Sequence, residues 1–211
     1  MFIAIEGIDH TGKTSLATHL YGHMLSKGMN VTFVREPGST SAAEKIRSVI
    51  MSDEVGKTGS AKTEPVLFAA ARVDLVENVI RPALTDGGHV IADRFTASTW
   101  AYQHWGRGVD ATTIAMLQYV ATLGLQPDLT LYLYPTDITA VMERGTVDNR
   151  LDDMDMPFYT RVQSGYEHLY RNCWKPSNPW LVGRAWVGIN ANDPLDAVLQ
   201  RGASIIDALL T

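Results

Sequence analysis

The stretch Gly7-Ile8-Asp9-His10-Thr11-Gly12-Lys13-Thr14 has the spacing G-x-x-x-x-G-K-[ST]. Glycines at those positions let the backbone wrap an anion, so that unpaired N–H groups point at phosphate oxygens. Lys13 then reaches the β- and γ-phosphates of a nucleotide, and the Thr14 hydroxyl is placed to hold Mg²⁺. The flanks suit that use. Phe2-Ile3-Ala4-Ile5-Glu6 reads as a buried strand, and Leu16, Leu20, Met24 and Leu25 recur behind the loop at helical spacing. The dipole of that helix adds partial positive charge where the phosphates would lie. An ordinary glycine turn is the plain alternative, and the strand–loop–helix context argues against it.

Two further groups fall at strand ends. Arg35 closes Val31-Thr32-Phe33-Val34 and precedes the turn Glu36-Pro37-Gly38. It can hold a second phosphate facing the glycine loop; its competing use is a surface ion pair with Glu36 or Glu44. Asp93-Arg94 closes His89-Val90-Ile91-Ala92. Asp93 can order water on Mg²⁺, and Arg94 can spread charge over transferring oxygens, unless the two serve only as a structural ion pair.

Helical spacing suggests two recognition faces. Phe68 and Arg72 stand four apart, so ring and guanidinium lie together. Such a pair can stack on a planar base and hydrogen-bond its edge, or be core plus a snorkelling arginine. Ser98, Thr99, Tyr102 and Gln103 form a polar face soon after Arg94, suited to reading a nucleoside. Last, Glu143-Arg144-Gly145 and Asn149-Arg150-Leu151-Asp152-Asp153 flank a stretch too polar for a core. It reads either as a solvated loop or as a mobile lid over about 144–156 whose arginines close on phosphates.

Positioning these groups requires strands alternating with helices. The pattern predicts strands ending at Glu6, Val34 and Ala92, a fourth over Leu129 to Tyr134, and a fifth, weaker one at Val187-Gly188-Ile189. Helices are expected at Ser41–Met51, Glu64–Leu84, 96–105, 111–124, Asp137–Arg144, Phe158–Asn172 and Pro194–Leu210, with 53–63 a loop and Pro82 near a helix end or kink. Alternation of this kind gives a five-stranded parallel sheet covered by helices on both faces, with ligands beyond the carboxyl ends of the strands. Gly7–Thr14, Arg35 and Asp93-Arg94 should therefore converge on one crevice.

Composition sets the outer bounds. The chain has 211 residues, 45% hydrophobic and 19% charged, and is most economically a single domain over 1–211. A formal charge of −5 argues against a broad nucleic-acid-binding face. The one cysteine, Cys173, allows no internal disulfide and no multi-cysteine zinc site. Neither a signal peptide nor a membrane span is expected, which places the protein in the cytoplasm.

Taken in order, these segments resemble the thymidylate kinase (dTMP kinase) family of P-loop nucleoside monophosphate kinases. The resemblance is carried by the glycine loop, Arg35-Glu36-Pro37-Gly38, Phe68-Ala69-Ala70-Ala71-Arg72, and Asp93-Arg94-Phe95 with Ser98 and Ala101-Tyr102-Gln103. Gly106-Arg107-Gly108, Pro127-Asp128-Leu129-Thr130-Leu131 and the arginine-bearing lid continue it. It implies a P-loop NTPase fold and transfer of the ATP γ-phosphoryl group to dTMP with Mg²⁺. ATP would lie on Gly7, His10, Thr11, Gly12, Lys13, Thr14 and Ser15. The catalytic set would be Lys13, Asp9, Arg35, Asp93, Arg94, Arg144 and Arg150, with Thr14 and Asp93 toward the metal. By analogy Asp9 sits near the acceptor's sugar and phosphate, Arg35 and Arg94 hold that phosphate, and Phe68 stacks on the base. Arg72 bonds the O4 edge, Thr99 and Gln103 fall on the base side, Ser98 joins the substrate-binding set, and Tyr102 crowds the sugar's 2′ position. The partners implied are ATP, a pyrimidine deoxynucleoside monophosphate and a second copy of the chain in a homodimer.

The sequence departs from the family pattern at four places: His10 where relatives carry arginine or glycine, Ser39 after the Pro-Gly turn, Tyr134 and Asn190. Because the lid has arginines, His10 reads as a spacer or weak phosphate donor. Two rival readings stand. One is a kinase of the same fold acting on dUMP or a 5-substituted dUMP, decided around Ser39, Phe68 and Thr99. The other is a P-loop regulatory or assembly protein, which would have no need of Phe68, Arg72, Tyr102 or the lid arginines.

Overall fold

The computed structural model describes residues 1–52, 55, 60–145, 154–172 and 185–210. Five strands, β1 (Phe2–Glu6), β2 (Val31–Arg35), β3 (His89–Asp93), β4 (Leu129–Tyr134) and β5 (Trp186–Asn190), form one sheet in the order β2-β3-β1-β4-β5. Every pairing is parallel, with Ile5 opposite Asp93 and Arg35 also opposite Asp93. The chain leaves β1 toward one edge of the sheet and leaves β3 toward the other. The carboxyl ends of these two adjacent strands therefore open the crevice in which such sheets bind ligands.

Alternation along β1 divides the core. Ile3 and Ile5 share a cluster with Leu129, Leu131 and Leu133 of β4, with Leu16 and Leu20 of helix α1 (Lys13–Ser26), and with Val198 and Ile206 of the closing helix. Phe2 and Ala4 face the opposite way and pack with Val90 and Ala92 against Leu75, Val76 and Ile80. Each fully buried large apolar side chain contributes about 1.5–3 kcal/mol, so the alternation fixes register and orientation together. Glu6 is the next residue on the second face. It too is fully buried.

Helix α2 (Ser41–Met51) coincides with its expected span and is capped by Thr40, whose side chain accepts from the Ala43 N–H at 3.0 Å. The helix expected over Glu64–Leu84 runs from Thr63 to Thr85, but not uniformly. α3 (Thr63–Leu75) widens into a π-helical turn at Val76–Ile80 before α4 (Arg81–Thr85), and the Arg81 N–H bonds back to the Val76 carbonyl. Pro82 explains the widening: it has no N–H for the Asn78 carbonyl, and its ring would clash there in a regular α-helix.

A second π-helical turn, Trp100–Gly106, follows α5 (Thr96–Thr99), and the Arg107 N–H reaches the Tyr102 carbonyl at 3.0 Å. This segment carries Tyr102 and Gln103. Further along come α6 (Ala111–Thr122), α7 (Ile138–Met142), α8 (Met156–Asn172) and α9 (Leu195–Leu210). α7 begins one residue later than the expected Asp137–Arg144 because Asp137 is its cap, accepting from the Ala140 N–H at 3.1 Å, and it ends at Met142. Cys173, most of the loop at 53–63 and most of the expected lid, including Arg150, lie outside the described residues.

Candidate active site

The glycine loop connects β1 to α1 by backbone geometry that few residues tolerate. Gly7 has φ 149° and lies so close to β4 that an added Cβ would come within 2.5 Å of the Leu133 carbonyl oxygen. Gly12 has φ 87° in the left-handed region and forms the N-cap of α1. Thr11 donates to the Ile8 carbonyl at 2.8 Å, and the Lys13 ammonium donates to the same carbonyl at 2.5 Å. Burial, followed by the nearby Arg94 cation, lowers the Lys13 pKa from 10.5 to about 8, against the pull of Asp9, Asp93 and Glu6. Thr14 donates to Asp93 Oδ2 at 2.5 Å, joining the first turn of α1 to the end of β3.

A polar cleft runs over this loop, lined by Asp9, His10, Gly12, Lys13, Thr14, Ser15, Arg35, Asp93, Arg94 and Arg144 among others. The three strand ends thus meet in one crevice. Gly7 and Thr11 shape the loop from beneath, the former through its carbonyl, which accepts from Arg94 Nη1 at 2.9 Å. Arg144 is held from the far side, donating to the Ala191 carbonyl at 2.7 Å. Arg35 stands on the rim, half-exposed, and pairs with Glu44 at 3.1 Å. Ser39 adopts φ 71°, the conformation a glycine would favour, and its hydroxyl accepts from the Arg35 N–H at 2.8 Å.

Beside the cleft lies a second cavity, lined by Phe68, Arg72, Thr99, Tyr102, Gln103 and Phe158 among others. Phe68 and Arg72 do share it. Arg72 is 2% exposed and donates through Nε to Glu36 at 2.7 Å, through Nη1 to Gln118 at 2.6 Å and through Nη2 to Thr99 at 3.1 Å. Gln103 donates to Glu64 at 3.0 Å, and Arg107 donates to the same Glu64 oxygen at 3.0 Å.

Cleft and cavity share four residues: Asp9, Glu36, Arg47 and Arg94. At this junction Arg94 pairs with Asp9 Oδ1, while Tyr102 donates to Asp9 Oδ2 at 2.8 Å. Burial would raise the Asp9 carboxyl, but Arg94 and Lys13 overcome it and hold the group below the usual aspartate range. Arg94 is itself fixed by Ser98 at 3.0 Å and Tyr166 at 3.2 Å. Ser98 donates to Glu6 at 2.6 Å, and Glu6 also accepts from the Phe95 N–H and from Tyr166. Ser98 therefore lines the cavity with its hydroxyl committed behind Arg94. Burial raises the Glu6 pKa, opposed by Ser98 and Arg94.

Reading the sequence missed Glu6, Glu36, Arg47, Glu64, Arg107, Phe158 and Tyr166. Arg47 gave the least signal: it sits mid-helix in α2, and only the fold turns it toward both chambers, where it donates to the Pro37 carbonyl at 2.9 Å. Glu6 and Glu36 were the more legible, as carboxylates at the ends of apolar strands.

Comparison with known proteins follows the same lines. The family model described as Thymidylate kinase matches residues 5–178. The chain belongs to the thymidylate kinase family. A thymidylate kinase from Prosthecochloris aestuarii is 39% identical over 180 residues, covering 80% of each chain. One from a Synechococcus species (strain CC9605) is 36% identical over 203 residues, covering 93% of this chain and 92% of the relative. A third, from Pelodictyon phaeoclathratiforme, is 35% identical over 210 residues, covering 94% and 91%. The span matched by the thymidylate kinase family model takes in the glycine loop, the Arg35 turn, the Phe68–Arg72 helix and the Asp93–Gln103 segment.

Proposed function

We propose that the protein transfers the γ-phosphoryl group of ATP to dTMP in line, giving ADP and dTDP, with residues 1–211 acting as one domain. The observation that carries the reading is the junction at Asp9, Glu36, Arg47 and Arg94, where the lysine- and arginine-bearing cleft opens into the aromatic cavity. A nucleoside monophosphate with its base on Phe68 and its sugar near Tyr102 and Asp9 would present its phosphate at that junction, facing the glycine loop.

The chemistry needs little proton transfer. A phosphate monoester has its second pKa near ~6, so at neutral pH the acceptor is largely ionised and a strong base is unnecessary. Catalysis becomes alignment and neutralisation of charge. Lys13 would leave the Ile8 carbonyl for the donor's β- and γ-oxygens. Arg94, held by Ser98 and Tyr166, and Arg35, on the rim, would grip the acceptor phosphate. Arg144 would add charge over the cleft, joined by Arg150 from a lid at about 144–156. His10, Thr11, Gly12 and Ser15 would complete the cradle for ATP.

The Thr14 hydroxyl and Asp93 carboxylate, 2.5 Å apart beside the loop, offer the hard oxygen donors that suit Mg²⁺. Among the described residues no group of three or more His, Cys, Asp or Glu gathers into a metal cage. Bound there, Mg²⁺ would supply charge neutralisation on the phosphate oxygens.

Among the described residues no helix is long and apolar enough to cross a membrane. A homodimer is supported by exposed Met116, Val120 and Leu123 on and beside α6, with exposed Val66 and Val73 on α3, a helix that packs against α6. The reaction is tested by a coupled ADP-release assay over a panel of deoxy- and ribonucleoside monophosphates. Turnover led by dTMP supports it, whereas no turnover with any pyrimidine deoxynucleotide contradicts it.

A further inference from the structure

Gln103 is 3% exposed on the cavity wall, and its amide has two faces of opposite polarity. Which face meets a ligand depends on what stands behind it. Glu64, 5% exposed, stands there, receiving the Gln103 Nε2–H at 3.0 Å. Arg107 donates Nε–H to the same Glu64 oxygen at 3.0 Å, so that position is held as a carboxylate that can only accept. A flipped Gln103 would set its own oxygen against Glu64, two acceptors face to face in a buried site. Gln103 Oε1 is thereby left as the atom available to the cavity.

Thr99 is fixed by the same logic and with the opposite result. Its Oγ1 accepts from Arg72 Nη2 at 3.1 Å, so its single O–H hydrogen remains to donate. The wall therefore offers one acceptor, from Gln103, and one donor, from Thr99, each set from behind by a buried charged residue. A thymine or uracil edge has a ring N3–H beside a carbonyl oxygen and complements that pair. Cytosine carries an acceptor at N3 and an amino group at C4, which reverses both.

We infer that Glu64, clamped by Arg107, is a specificity-determining positioning residue that fixes the Gln103 amide so that the cavity takes thymine-type bases and refuses cytosine-type ones. This rests on the proposed reading of the cavity as the acceptor-base site, and it adds a mechanism for selecting the base.

The test compares dTMP with 5-methyl-dCMP, which differ only in the edge at issue, by kcat/KM in the wild-type protein and in Glu64→Gln. A glutamine at 64 can donate as well as accept, so the Gln103 amide is freed to turn. The wild-type protein is expected to prefer dTMP strongly, and Glu64→Gln to lose at least about tenfold of that preference. The exchange Glu64→Gln/Gln103→Glu restores a donor behind and an acceptor in front, so it is expected to recover the preference. That double variant also serves as the test if the single one fails to fold. A preference unchanged in Glu64→Gln, or absent in the folded double variant, overturns the inference while leaving the dTMP reaction standing. Absence of dTMP turnover in the wild-type protein overturns the reaction, and this inference with it.

Discussion

Arg94 and Asp9 form an ion pair across the mouth of the crevice, tying the end of β3 to the glycine loop where the cleft and the cavity meet. Arg94 takes φ 73° to do so, an uncommon conformation for a residue with a side chain. Burial would lower its pKa, yet Tyr102 and Asp9 more than restore it, so the guanidinium stays charged throughout the working range. Removing one partner of such a pair strands the other. Asp9→Asn is expected to destabilise the fold by about 2–4 kcal/mol and to cut kcat/KM for dTMP by about 10²-fold or more. Thermal unfolding and initial-rate measurements check the two effects separately.

Tyr102 serves the same junction through its hydroxyl, which donates to Asp9, and through its ring, which lies 5.1 Å from the Arg94 guanidinium. The two contributions separate by substitution. Tyr102→Phe keeps the ring and is expected to lower kcat/KM by about 3- to 10-fold without changing the preference for deoxyribonucleotides. Tyr102→Ala removes the bulk near the sugar and is expected to relax that preference at least about tenfold. Parallel assays with dUMP and UMP give the ratio; equal ratios in wild type and Tyr102→Ala would remove the assignment.

Lys13 carries a pH signature. With its pKa lowered to about 8, the free protein loses this cation as pH rises past 8. Affinity for ATP, followed by calorimetry from pH 7 to 9.5, is expected to fall through that region, and Lys13→Arg to flatten the fall. The stability of the unliganded protein should move the other way. Between about 8 and 10.5 the unfolded chain binds a proton that the folded one does not, so folding stability rises with pH across that window.

His10 has φ 63° and faces the start of the segment after α7: a Cβ at Gly145 would collide with its imidazole. Gly145→Ala is therefore expected to displace the ring, the neighbouring Arg144 or both, and to lower kcat by about tenfold. His10→Ala alone should cost little, and in combination should return most of the rate. Failure of the double variant to recover would show that Gly145 acts independently of His10.

The parts of this site that could be read in advance are those in which one short segment carries its own physics. The glycine loop needs only β1 before it and α1 after it. Arg35 and Asp93-Arg94 follow from where strands stop, and Phe68/Arg72 from a spacing of four. What was hidden depends on contacts between distant segments. Glu64 sits in the first turn of α3, where an acidic residue is ordinary, and nothing local ties it to Gln103 and Arg107. Arg35 had two possible partners in view, Glu36 and Glu44; the fold gives Arg35 to Glu44 and buries Glu36 against Arg72. The π-helical turn at Trp100–Gly106 was equally hidden, because apolar periodicity does not distinguish a widened turn from a regular one.

The central claim is that the Lys13 loop and the Phe68 cavity serve one reaction across the Asp9–Arg94 junction. It is tested most directly by dTMP-dependent ADP release in wild type and in Lys13→Ala, with circular dichroism confirming that both are folded. The expected result is turnover that requires dTMP in the wild-type protein and is abolished in Lys13→Ala. Wild-type rates in a folded Lys13→Ala protein, or ADP release indifferent to dTMP, would contradict it.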